Sequence, residues 1–201
     1  MTIHEPMTML TDYLLAGVTG YFCFQILKNY KNEKSRLYWS LAFAALALAA
    51  LLGGTHHGFA LEALWKPAVL VAGVASFGML AGSAYASTAG VARKTLLIAA
   101  AAKLLGYWAW MLGHAEFIYV IADTGSSIVA VAVLHSLRFR DDFSKWILAG
   151  VALSLAAAGV QAGHLAPHRH FNHNDLYHAI QIAAMFFFYR GVARMRDLRR
   201  P

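Results

Sequence analysis

Residues 37–57 read LYWSLAFAALALAALLGGTHH. No Asp, Glu, Lys or Arg interrupts them, and a helix of that length, rising about 1.5 Å per residue, covers the roughly 30 Å hydrocarbon core of a bilayer. Six further apolar segments run approximately from Met9 to Leu27, Pro67 to Ser87, Thr95 to Leu112, Phe117 to Leu134, Trp146 to Leu165 and Leu176 to Val192. Composition agrees: 59% of the 201 residues are hydrophobic and 13% charged, with mean hydropathy +0.51, outside the range of soluble domains. The connections are too short to hold a second domain. The sequence therefore predicts an all-α polytopic membrane protein, one seven-transmembrane-helix bundle over residues 1–201. The opening MTIHEPMTMLTD has no basic n-region and no A-x-A site follows, so the first segment reads as a retained helix rather than a signal peptide. Cys23, alone in the chain, allows no internal disulfide.

Basic residues set the expected orientation, because Lys and Arg accumulate in cytoplasmic loops. Lys28, Lys31, Lys34, Arg36, Arg93, Lys94, Arg138, Arg140, Lys145, Arg190, Arg194, Arg196, Arg199 and Arg200 fall at one end of the segments, against Lys66 and Arg169 at the other. That predicts an N-terminus outside and a C-terminus in the cytoplasm. The net charge of +7 is then a topology signal and not the footprint of a nucleic-acid partner.

Histidines sort the other way. His4, His56, His57, His114, His164, His168, His170, His173 and His178 lie on or near the outer end, leaving His135 alone inside. Neutral imidazole is the commonest protein ligand for zinc, which typically takes three or four protein donors. His56 and His57 sit about 100° apart on a helix, so one of them, not both, faces the bundle. Pro167 is expected to end the sixth segment at Ala166, keeping His164 in its last turn and leaving the H-x-H pair His168 and His170 in an irregular stretch. Asn172, Asn174 and Asp175 can each cap the seventh helix. His178 then falls in its first turns, with Asp175 and Gln181 on the same stripe. A carboxylate beside a histidine is the usual arrangement that fixes a ligand's tautomer.

Ionisable groups within spans are costly and mark a pair, a pathway or a site. Asp12 lies at the histidine level of the first segment, where it can join that site or cap the helix. Lys103 and Asp123 flank the short turn GHAEF (113–117) at depths differing by only a few ångströms, so they can pair.

Seven helices, with a histidine ending the second and histidines opening the seventh, resemble the CREST superfamily of membrane hydrolases: alkaline ceramidases, progestin/adipoQ receptors and haemolysin III-like proteins. The resemblance implies zinc held by His57, His173 and His178 and hydrolysis of a lipid amide or ester. The chain departs from the family pattern at three places: H-x-x-x-H is replaced by HNDLYH (173–178), Gly53 stands where a serine is expected, and the third segment has no aspartate.

The leading expectation is thus a zinc-dependent lipid hydrolase of the bacterial inner membrane, its site on the periplasmic side, with Asp175 or Asp12 orienting or accepting a proton and membrane lipids as partners. Two other classes stay open. One is a small transporter or metal/proton-coupled carrier using Lys103 and Asp123; the other is a non-enzymatic sensor whose histidines titrate near pH ~6.5.

Overall fold

The computed structural model describes residues 3–199. Seven long helices follow one another: α1 (Pro6–Lys28), α2 (Lys34–Phe59), α3 (Trp65–Ser87), α4 (Gly90–Gly113), α5 (Phe117–Ser136), α6 (Asp142–Ala162) and α7 (His173–Val192), with one 3-10 turn at Glu62–Leu64. Among the described residues β pairing is limited to an isolated bridge between His168 and Phe171. Arg200, counted above with the basic residues, lies outside the described residues.

The helices α1 to α6 are each long and apolar enough to cross a bilayer. The seventh matches them in length, but it opens on His173, Asn174, Asp175, Tyr177 and His178, which dilute its apolar content. Helices apolar on both faces belong in lipid or in a large core, and here the outward faces carry exposed side chains such as Leu14, Phe24, Leu51, Ile98, Leu105 and Val133.

Six helices close a ring in the order α1, α2, α3, α5, α6, α7, and α4 packs outside it against α3. The close approach of α2 and α3 depends on a G-x-x-x-G pair. A Cβ on Gly78 would stand 2.7 Å from the Tyr38 carbonyl oxygen and 2.8 Å from the Ala42 nitrogen, and one on Gly82 2.8 Å from the Ser35 carbonyl oxygen. Backbone thus meets backbone, which only glycine allows. Trp39, Phe43, Ile147, Phe188 and Met195 fill the ring at its basic end. Toward the histidine end the ring encloses a cavity of about 410 Å³.

The helices run up to five residues past the expected spans, and one, α6, falls short of its expected end. α6 stops at Ala162, before Pro167 can act, because the chain reverses at His164: the His164 and Leu165 N–H groups turn back onto the Gln161 and Val160 carbonyls, the paired bonds of a Schellman cap. His164 therefore lies beyond the helix, with a left-handed φ of 49°.

Candidate functional site

Threonine and aspartate recur on α1 at helical spacing: Thr8, Thr11, Asp12 and Thr19 are buried on one stripe with Leu15, Phe22 and Ile26. That stripe faces α2 and α7. Gly54 of α2 makes room for it, since a Cβ there would lie 2.7 Å from the Asp12 Cβ.

On the opposite wall, α7 begins with a capping box. The Asn172 side chain accepts from the Asn174 and Asp175 backbone N–H groups, and the Asp175 carboxylate accepts from the Asn172 N–H at 2.7 Å. The other Asp175 oxygen accepts from the Thr8 hydroxyl at 2.9 Å, tying α7 to α1. Asp175, only 1% exposed, thus works as cap and tie. It makes no bond to His178, and the carboxylate beside that histidine is Asp12 from α1, with Oδ1 3.2 Å from Nε2.

The hydrogen bonds around Thr11 favour one tautomer of His178. The Thr11 hydroxyl donates its one hydrogen to the Thr8 carbonyl at 3.0 Å. Its oxygen is also 3.0 Å from His178 Nδ1, and with the hydroxyl hydrogen assigned to the Thr8 carbonyl, Nδ1 is assigned as the donor of that contact. Nε2 is therefore the nitrogen turned to Asp12. Asp12 is 5% exposed and His178 8%, and separated charges are expensive in such apolar surroundings. One proton shared between Oδ1 and Nε2 leaves the pair neutral.

The pair lines the 410 Å³ cavity together with His57, Asn174, Tyr177 and Gln181, whereas Trp39, Phe43, Met79, Met185 and Phe188 line its far part. From Asn174 to Phe188 along α7 is about 21 Å at the helical rise of 1.5 Å per residue. The cavity is polar at one end and apolar over most of its length, the shape an amphiphile requires.

Of the histidines expected at the site, His57 and His178 face this cavity and His173 does not line it. His173 instead packs on His164, ring centroids 4.8 Å apart. His57 presents Nδ1 to the Glu5 carboxylate at 3.5 Å, while its neighbour His56 turns Nδ1 to the Leu61 carbonyl. Among the described residues no three His, Cys, Asp or Glu side chains converge as a metal-ion set. Two donors of the kind zinc takes do stand together: the 3.2 Å between Asp12 Oδ1 and His178 Nε2 is about the separation of two donors on one tetrahedral ion with bonds of about 2.0–2.1 Å.

The remaining histidines serve elsewhere. His114 stacks on Trp110 with centroids 4.0 Å apart, His168 and His170 form an exposed pair, and His135 bridges Ser83 and Ser144 at the basic end. The Lys103 ammonium contacts the Asp123 carboxylate, donates to its carbonyl at 2.7 Å and reaches Ser76 Oγ at 3.3 Å. Neither charge lines the cavity; the pair joins α3, α4 and α5.

Thr8, Thr11 and Glu5 were not among the candidate site residues. For the threonines a signal existed, the three- and four-residue spacing of polar groups along α1. For Glu5 there was none.

A model of DUF6962, a family of unknown function, matches residues 7–197, and the chain belongs to that family. No curated protein and no solved structure matches it.

Proposed function

We propose that this DUF6962 member crosses the membrane seven times and hydrolyses a lipid amide or ester, the scissile group lying at Asp12, His57 and His178 and the acyl chain along the apolar length of the cavity. The observation that carries the reading is a buried Asp–His pair at the polar end of an otherwise apolar cavity. The distribution of Lys and Arg supports an N-terminus outside, which in a bacterium puts this end at the periplasmic face of the inner membrane.

The residues have distinct tasks. Thr11 fixes the His178 tautomer, so that Nε2 and Asp12 Oδ1 share one proton and have room for a second. A water beside the acyl carbon gives up that second proton as its oxygen bonds to carbon. The same proton passes to the leaving nitrogen or oxygen as the acyl bond breaks, which restores the pair. Asp175 holds α7, and with it His178, in register with α1 through Thr8. Zinc on Asp12 Oδ1 and His178 Nε2, with His57 as a third donor, would displace that shared proton and is therefore the alternative to this proton transfer; when bound it would polarise the carbonyl as a Lewis acid. Tyr177 and Gln181, hydrogen-bonded at 3.3 Å, border the same space and can orient the lipid head.

The test is release of fatty acid from acyl-labelled lipid amides and esters by the purified protein in mixed micelles, with zinc content measured on the same sample. Turnover should fall by at least about 10²-fold in His178→Ala and Asp12→Ala, the usual contribution of general acid–base groups. Saturable lipid binding with no fatty acid released, with or without added zinc, would leave a binding protein and sink the hydrolase.

A further inference from the structure

At the opposite, basic end, Arg36 of α2 is 5% exposed. Buried guanidinium groups are normally matched by a carboxylate, yet both bonds of this one go to neutral carbonyls. Its Nε donates to the Met195 carbonyl at 2.9 Å and its Nη1 to the Asn29 carbonyl at 2.8 Å. The two nearby acids are committed elsewhere. Asp197 accepts from the Lys34 and Ser35 N–H groups at 2.9 and 2.8 Å, capping α2. Glu33 accepts from the Asp197 N–H at 2.7 Å and pairs with Arg199.

Arg36 also borders a second cavity of about 180 Å³, lined by Gln25, Ile26, Asn29, Lys31, Tyr189 and Ala193 as well, with no acidic residue. The loop that brings Lys31 to it is strained: Lys31 and Asn32 take left-handed φ values of 54° and 59°, a conformation that L side chains rarely adopt and that tends to persist where function needs it.

We propose that this pocket binds a phosphate group, Arg36 and Lys31 supplying the charge and Gln25 a neutral amide. The site lies where helix ends meet the basic loops, the level of lipid phosphates on that face, and basic pockets between spanning helices are known to take such head groups. Either a lipid phosphodiester or free phosphate has this chemistry. The proposal is independent of the hydrolase reading, which concerns the other end of the bundle.

The experiment uses full-length protein, delipidated in neutral detergent, with binding followed by native mass spectrometry and thermal shift. The probes are phosphatidylglycerol, phosphatidylcholine and inorganic phosphate. Saturable binding of one equivalent is expected, weakened about fivefold by Lys31→Gln and more by Arg36→Gln. Lys31 is exposed, so its variant keeps the fold even if the Arg36 variant does not. Response to both lipids identifies a lipid phosphodiester, to the anionic lipid alone one whose net charge also counts, and to inorganic phosphate alone a free ion. Lys28, outside the pocket, is the control: if Lys28→Gln weakens binding as much as Lys31→Gln, or neither has any effect, the site is refuted.

Discussion

Replacing Asp12 by Asn tests where the proton of the Asp12–His178 pair resides. The Thr11 hydroxyl takes the Nδ1 hydrogen, so Nε2 needs a donor from Asp12. A protonated carboxyl supplies one, and so does the Asn amide, with the same geometry. A neutral pair therefore predicts that Asp12→Asn changes stability by less than about 1 kcal/mol, whereas Asp12→Ala leaves a buried acceptor unmatched at about 1–3 kcal/mol. A pair held as carboxylate and imidazolium predicts otherwise, since Asn would strand a buried charge at roughly 3–5 kcal/mol. At about 2–4 °C per kcal/mol for a chain of this length, intrinsic tryptophan fluorescence in detergent resolves these cases. The Asp12→Asn midpoint should stay within about 3 °C of the parent and above that of Asp12→Ala. A fall of about 10 °C or more in Asp12→Asn, or one exceeding that of the Ala variant, would refute the hydrogen count, and with it the role given to Thr11.

Three further outcomes are expected. Lys103→Met leaves the Asp123 carboxylate without its cation and should lower stability by up to about 3–5 kcal/mol, with much of the loss recovered in Lys103→Met/Asp123→Leu; equal midpoints for parent and single variant would make the pair incidental. Gly78→Leu drives a side chain into the α2 backbone, so size-exclusion chromatography should show aggregate in place of the parent peak, and a normal peak would contradict the α2–α3 packing. Asn172→Ala removes the cap and should cost about 1 kcal/mol, with faster amide hydrogen exchange confined to the first turn of α7; unchanged exchange there would argue against the capping box.

The sequence carried the helical segments nearly to their ends because apolar composition and length are local properties. It also sorted the charges: Lys103 and Asp123, level by helix rise, touch, and the basic loops share one end. Histidine number and end were legible too, but not their directions. The expected grouping of His57, His173 and His178 rested on chain position, and the structure turns His173 onto His164 while giving His178 a carboxylate from α1. The stop of α6 was not legible at its residue, because the left-handed position of the cap is filled by His164 and not by the glycine or asparagine that usually marks one.

What the sequence determined by itself was a set of apolar helices and their polarity from end to end. What only the tertiary structure decided was which polar groups meet. Asp12 and His178 are 166 positions apart and come within 3.2 Å because Gly54 lets α1 approach α2 and the Thr8–Asp175 bond sets the register of α7. Rotation of a helix about its axis costs little until its neighbours are packed, so no reading of one segment alone could have aimed those side chains.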